Sequence, residues 1–457
     1  MTESKDKQYV WHPFTQMKGW LENPQTVITD AKGIKLIDSS GREYYDAVSS
    51  LWVNIHGHRR AEIDQAIIDQ LGRVAHSTAL GLANIPAAEY AEQLIQAAPA
   101  GLSKVFYSDD GSTAVEVAIK MAFQYWRHKG RTMKKRFVAL DHAYHGDTVG
   151  TVSVGGIDLF HRVFKPLLFE PFYIPSPSCY HCKLAAGPES CKMACAQKLE
   201  ELLAKKHGEI AALVIEPLVQ AAAGMLISPP GYLSRVRELT KKYDVLLIAD
   251  EVATGFGRTG RLFACEHENV SPDFMCLSKG ITGGYLPLAA TLTTDRIYNE
   301  FLGEMEEKRT FYHGHSYTAN QLGCSAAIAS LKIFSDDRVI EGLEPKIAAI
   351  REHLAGLREL EHVGDARQCG MIAGIELMQD KALKQPYPWA QSTGARVCMK
   401  AREYGVFIRP VGDVVVFMPP LCSTQEDISR MLDIVYRSIE GITSQGQSVS
   451  DGGGAHF

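Results

Sequence analysis

The chain has 457 residues, 46% hydrophobic and 22% charged, which is enough for more than one core and unlike a disordered, collagenous or coiled-coil composition. Its 48 lysines and arginines against 53 aspartates and glutamates leave a net charge of −5, which argues against a surface built for nucleic acid or anionic lipid. No apolar run is long enough to span a bilayer, and the first seven residues lack the apolar core of an export signal, so a cytoplasmic protein is expected.

Near the start, residues 33–38 (Gly-Ile-Lys-Leu-Ile-Asp) and 43–46 (Glu-Tyr-Tyr-Asp) read as a hairpin. Further on, short apolar strands alternate with amphipathic helices. Strands are expected over 104–107, 136–140, 211–215, 245–249, 274–277 and 288–292, with helices such as 113–125 and 232–242 among them. That alternation implies crossover connections and a mostly parallel sheet. Residues 245–249 form a continuous apolar run because both faces of such a sheet are covered. After about residue 334 the texture changes. Amphipathic stretches at 339–357 and 393–404 flank short strands at 371–376 and 414–418, the pattern of a smaller α+β domain. The expected layout is an N-terminal segment (1–60) joining the small domain, a large domain (61–334), the small domain (335–442) and a disordered Ser-, Gln- and Gly-rich tail (443–457).

In an open parallel sheet, ligands bind outside the carboxyl ends of the strands. Three of the expected strand ends carry suggestive residues. After the first comes Ser108-Asp109-Asp110-Gly111-Ser112-Thr113. Gly111 admits close backbone approach, while Ser112 and Thr113 offer hydroxyls and helix N-terminal amides; this suits a phosphate or an ordinary helix cap. A second strand ends in Asp250-Glu251. A buried carboxylate needs a cation or donor, either a metal or a cationic ring nitrogen. The metal reading lacks its phosphate cradle, since no Gly-x-x-x-x-Gly-Lys-Ser/Thr loop is present. The third is followed by Ser278-Lys279-Gly280. A lysine held there is either a desolvated nucleophile or one that snorkels to water. Gly255-Phe256-Gly257-Arg258-Thr259-Gly260 has dinucleotide-fingerprint spacing, on which a nicotinamide dehydrogenase could rest. It follows no strand directly and opens no helix, so a loop beside the carboxylate is the better reading.

Of ten cysteines, Cys265, Cys276, Cys324, Cys369, Cys398 and Cys422 are scattered and read as small buried hydrophobes. Cys179, Cys182, Cys191 and Cys195 cluster in a Pro-, Ser- and Gly-rich stretch. The spacing admits zinc or an irregular surface insertion, and no metal is assigned.

Lysine, carboxylate and helix N-terminus together match pyridoxal 5'-phosphate, which needs an amine for its aldehyde, an acid for its ring nitrogen and a phosphate cradle; Tyr144 offers a stacking ring. With the runs Trp11-His12-Pro13-Phe14-Thr15, Tyr144-His145-Gly146-Asp147-Thr148, Asp250 through Gly260 and Phe407-Ile408-Arg409-Pro410, the chain resembles the class III (ω-amino acid type) aminotransferases of pyridoxal-phosphate fold type I, from Trp11 to about Ile439.

The resemblance implies an α/β fold with a large, mostly parallel domain and a smaller α+β domain, transaminase activity by ping-pong kinetics, and a homodimer. By position, Lys279 resembles the lysine that bonds the cofactor aldehyde, Asp250 the partner of the ring nitrogen, Gly111 and Ser112 the phosphate turn, Tyr144 the stacking ring, and Glu216 an acidic position near the cofactor. In Gly314-His315-Ser316, Ser316 stands where the family more often has Thr, whose hydroxyl reaches the partner subunit's phosphate site. Arg409 resembles the holder of the substrate carboxylate, a role suited to its planar fork. Phe14, Trp52, Tyr144, Gly314 and Lys279 resemble residues at the substrate. Within the family the chain is most similar to the biotin-biosynthesis branch, whose acceptor is 8-amino-7-oxononanoate and whose usual donor is S-adenosylmethionine. Phe14 replaces a Tyr and Leu51 a Trp of that branch, while Trp52 is kept; these changes bear on the donor, since some similar enzymes use lysine. A broad ω-amino acid:pyruvate aminotransferase is the alternative.

Overall fold

The computed structural model describes residues 2–184 and 191–444. The chain forms two compact units, Ala61–Ile340 and a second made of the residues up to Arg60 with those from Glu341 onward.

The first unit is built on a seven-stranded sheet in the order Leu102–Ser108, Ala289–Thr294, Phe274–Leu277, Leu246–Asp250, Ile210–Ile215, Arg136–Leu140, Phe172–Ile174. Every pairing is parallel except the two made by Ala289–Thr294. That strand returns after a short connection too brief for a helical crossover, which forces an antiparallel neighbour. Alternation along Leu246–Asp250 shows why the run is apolar throughout. Leu246 and Ile248 pack with Val115, Ala118 and Ala122 of the Gly111–His128 helix on one face. Leu247 and Ala249 pack with Leu199, Leu203, Val236 and Leu239 of the Ala194–Lys206 and Tyr232–Lys242 helices on the other. Trp126, nearly inaccessible, donates its indole N–H to the Ala211 carbonyl at 2.8 Å and so pins helix to sheet.

The structure adds elements beyond those expected: the edge strand Phe172–Ile174 and the helices Ala61–Leu71, Ile85–Ala97, Gln321–Asp336 and Gln425–Thr443. The strand expected over 245–249 is Leu246–Asp250, so the carboxylate is its last residue, opposite Cys276. The terminal helix runs through Thr443; the rest of the expected tail lies outside the described residues. Among the described residues no helix is long and apolar enough to cross a membrane.

The second unit holds two four-stranded sheets. One pairs Ile28–Lys32, Lys35–Asp38, Glu43–Asp46 and Val406–Phe407; the other pairs Val363–Cys369, Ile372–Leu377, Val414–Phe417 and Arg409–Val411. The expected hairpin is the antiparallel pair Lys35–Asp38 and Glu43–Asp46. After it the chain enters an unusual turn. Ser49, Ser50 and Trp52 have φ of 52°, 63° and 66°, a conformation that costs a non-glycine residue about 1–3 kcal/mol.

Packing of Leu247 from the helix-covered face makes it a sensitive probe of this architecture. Leu247→Ala is expected to lower unfolding free energy by about 2–5 kcal/mol, read as a shift in the urea midpoint of the protein. A loss below about 1 kcal/mol would show that this layer is not close-packed.

Candidate active site

The parallel strands present their carboxyl ends along one sheet edge, and the residues singled out in this unit follow those ends. At the centre, Asp250 is 5% exposed. Its Oδ2 lies 2.7 Å from Nδ1 of His145, whose side chain is inaccessible, and its Oδ1 accepts the Val252 amide at 3.1 Å. His145 sits in the loop after Arg136–Leu140, two strands from Asp250. Its Nε2 is buried without a partner. Burial opposes a charge on this imidazole, but the bond to Asp250 and the nearby Glu216 outweigh it, so its proton affinity is raised.

Glu216 follows the strand between them. It accepts the Tyr144 amide at 3.1 Å and the Ala221 amide at 2.9 Å. Burial, reinforced by Asp250, pushes its carboxyl up to about 7 even though His145 pulls the other way. Lys279 opens a short helical turn after Phe274–Leu277 with φ of 47°, a strained conformation for a lysine. Its amine is shifted toward the neutral form. Burial is the main cause and Arg258 adds to it, against the attraction of Asp250 and Glu216.

Two glycines shape the turn before the Gly111–His128 helix. A Cβ on Gly111 would lie 2.5 Å from Cγ1 of Val252, and one on Gly146 would meet the Ser112 hydroxyl at 2.0 Å. Gly146 also has φ of 118°, which favours glycine. Ser112 Oγ accepts the Asp147 amide at 3.2 Å. Thr113 differs from the sequence expectation. Its amide donates to the Asp110 side chain at 2.9 Å and its hydroxyl oxygen accepts the Asp110 amide at 3.1 Å, a capping box, while the hydroxyl proton goes to the Asp110 carbonyl at 2.8 Å, so its donors are already used. The Tyr144 ring stacks on His161 with planes 8° apart, and its hydroxyl donates to Asp147 at 2.7 Å. Ser316 is exposed; its carbonyl lies 2.7 Å from His76 Nε2, and the preceding His315 lies 3.5 Å from Asp109. Gly314 belongs to the same exposed stretch.

Lys279, Asp250, Glu216, Tyr144, Gly111, Ser112, Gly314 and Ser316 thus lie in one unit. Phe14, Trp52 and Arg409 belong to the other. Phe14 is 51% exposed, Trp52 is buried, and Arg409 starts the Arg409–Val411 strand, where burial and the charge of Arg402 lower its affinity for a proton.

His145 is the buried partner of Asp250, and sequence reasoning missed it as an individual. Its signal was faint: a histidine in a Gly-containing loop after a buried strand, with no mark of its partner. The carboxylate pair also divides. Asp250 faces the histidine, whereas Glu251 accepts the amides of Ala264 and Cys265 at 2.9 and 2.7 Å and the Thr254 hydroxyl at 2.8 Å, bracing the following loop. The stretch from Gly255 to Gly260 is an irregular turn region followed by a 3₁₀ turn at Ala264–Glu268, without the strand-to-helix setting of a dinucleotide site. Cys179, Cys182, Cys191 and Cys195 are free thiols, and among the described residues no three metal-binding side chains are grouped to hold an ion.

The chain matches the family described as aminotransferase class-III over residues 17–439 and belongs to that family. It is therefore an aminotransferase that depends on pyridoxal phosphate. Among relatives, the adenosylmethionine-8-amino-7-oxononanoate aminotransferase of Geobacter sulfurreducens is 54% identical, with 96% of this chain and 97% of that one covered. The crystal structure of the Methanocaldococcus jannaschii protein of the same name superposes with a TM-score of 0.92 at 46% identity, covering 96% of this chain and 98% of that one. An omega transaminase of Pseudomonas jessenii, in complex with PMP, superposes at 0.93 with 30% identity, covering 97% and 98%. The residues present suit the cofactor: an amine biased toward its neutral form, a buried carboxylate, and glycines at a helix entrance where a side chain would collide.

The buried Glu216 generates a pH prediction. Its folded-state value of about 7 stands above its ordinary 4.5. Below about pH 4.5 both states hold the proton and no penalty arises; as pH rises toward 7 the unfolded chain releases it first, and folding loses up to about 3 kcal/mol. Glu216→Gln is expected to flatten the fall in stability of the cofactor-free protein across that window, measured by urea unfolding at stepped pH. An unchanged slope would contradict the assignment.

Proposed function

We propose that this chain transfers an amino group to 8-amino-7-oxononanoate, forming 7,8-diaminononanoate for biotin synthesis, with S-adenosylmethionine or lysine as donor. The observation that carries this reading is the convergence of Lys279, Asp250, His145 and Glu216 at one buried sheet edge. It is supported by relatives bearing the enzyme's name over nearly the whole chain.

In this reading Lys279 is the residue that bonds the cofactor aldehyde, and burial biases its amine toward the neutral, nucleophilic form. Asp250 pairs with the ring nitrogen, Gly111 and Ser112 cradle the phosphate, Tyr144 stacks on the ring, and Glu216 holds the Tyr144 backbone in place. Bound pyridoxal phosphate supplies an electron sink for the bond broken at the substrate carbon. Lys279 moves the proton: it removes one from the donor's α-carbon and, in the second half-reaction, delivers one to C7 of the acceptor, a transfer worth about 10²–10⁴-fold. Arg409 binds the acceptor's distal carboxylate through both oxygens. Phe14, Trp52 and Gly314 line the substrate's path. Ser316 serves the phosphate of a second copy, which makes the working form a homodimer, and the enzyme is cytoplasmic.

The equally close superposition on an omega transaminase favours a second reading, a broad ω-amino acid:pyruvate aminotransferase. Single-turnover spectroscopy separates the two. The yellow holoenzyme is expected to bleach with S-adenosylmethionine or lysine and recover with 8-amino-7-oxononanoate. Recovery only with pyruvate would install the second reading. Lys279→Ala is expected to lose the yellow colour and at least about 10²-fold in turnover; a near-native rate would overturn the role of Lys279.

A further inference from the structure

Trp52 and Arg409 belong to one hydrogen-bonded frame, and a buried carboxylate stands at its corner. Asp46 ends the Glu43–Asp46 strand and is inaccessible. Its Oδ1 accepts the Ser50 amide at 2.7 Å, and its Oδ2 accepts the Ser50 hydroxyl at 2.9 Å and lies 3.0 Å from His58 Nε2. Ser50 has φ of 63° and ψ of −59°, the strained sense of a γ-turn, which side-chain-bearing residues avoid. Both donors of Ser50 close on the same carboxylate, so Asp46 is the group that holds the disfavoured conformation.

The remainder of the turn is fixed to the frame. The Ser49 hydroxyl donates to the Met418 carbonyl at 2.7 Å, and the Trp52 amide to the Val48 carbonyl at 2.9 Å. With positive φ at Ser49, Ser50 and Trp52, the backbone turns Leu51 outward, 49% exposed, and Trp52 inward, 9% exposed. Ala47, next to Asp46, donates to the Phe407 carbonyl and accepts the Met418 amide, both at 2.9 Å. Phe407 lies two residues before Arg409, and Arg409 stands opposite Val416, two residues before Met418. Two hydrogen bonds of Ala47 thus tie the residue beside Asp46 to Phe407, two positions before Arg409, and to Met418, just past the strand that pairs with Arg409–Val411.

We propose that Asp46 is a positioning residue for substrate recognition: by holding Ser50 in its strained turn, it fixes the placement of Trp52 within the frame that carries Arg409. The inference rests on the reading above that Trp52 and Arg409 meet the substrate. On that reading Trp52 and Arg409 bind the acceptor and do not move its proton, so misplacement of Trp52 weakens acceptor binding more than it slows turnover.

The test uses full-length holoenzyme carrying Asp46→Ala, Asp46→Asn or Ser50→Gly. Trp52 is followed as the near-ultraviolet circular-dichroism difference between the native protein and Trp52→Phe. Asp46→Ala is expected to raise KM for 8-amino-7-oxononanoate about tenfold, change kcat less than about threefold and erase the Trp52 signal. Asp46→Asn keeps an acceptor for the Ser50 amide and is expected to restore both to within about threefold. Ser50→Gly relieves the backbone strain and loses the hydroxyl tie; it is expected to keep the thermal midpoint at or above native while KM rises. A native KM and Trp52 signal in Asp46→Ala would overturn the proposal, as would a fall in thermal midpoint in every variant with no change in KM. Should Asp46→Ala fail to fold, a native KM in Ser50→Gly overturns it. If the native enzyme ignores 8-amino-7-oxononanoate, the substrate reading fails, and an intact Trp52 signal in Asp46→Ala still decides against the clamp.

Discussion

The chemistry of the large unit depends on one buried contact, the 2.7 Å bond between His145 and Asp250. A lone carboxylate at the end of a strand covered on both faces would be costly to ionise. The imidazole offsets that cost with a charge-assisted bond. It reaches Asp250 because three neighbouring parallel strands deliver His145, Glu216 and Asp250 to the same edge. Removing the carboxylate would leave a buried imidazole with neither its hydrogen-bond partner nor the main interaction that raises its proton affinity, so the two groups stand or fall as a pair.

That pair sets the charge state of its surroundings. Glu216 is buried beside it, and its two oxygens each accept one backbone amide, which stops short of making it a strong acid. Lys279 feels both carboxylates yet still leans toward the neutral amine, because desolvation outweighs their attraction. On the proposed reading that bias suits an amine that attacks carbonyl carbon and takes protons from carbon.

Much of this edge was readable in the sequence, because its elements are local. The apolar runs at 136–140, 211–215 and 274–277, a lysine just past a strand and a glycine at a helix entrance are patterns of a few residues. What escaped is long-range or conformational. His145 and Asp250 are 105 positions apart, and no spacing rule links them. Thr113 looked like a phosphate donor, but its donors satisfy Asp110, a competition visible only once the helix start is fixed. Asp250 and Glu251 looked like one acidic pair. A strand sends successive side chains to opposite sides, so one of them meets the histidine and the other braces a loop. The turn at Ser49–Trp52 left no trace at all, since serine and tryptophan carry no preference for positive φ.

The strained turn and the shifted proton affinities share a physical cause. Each is a local state that would relax in an isolated peptide, and each persists because the surroundings over-determine it. At Ser50 the determinants are two hydrogen bonds to a carboxylate that itself has no exposure to water. At Lys279 they are burial after a strand packed on both faces and the neighbouring Asp250, Glu216 and Arg258. The strained Ser50 does not hold itself; the buried Asp46, four positions earlier, does. Asp46 is placed as a positioning group, so its substitution should damage the enzyme through geometry, in contrast to Lys279, whose loss on the proposed reading removes the reacting amine itself.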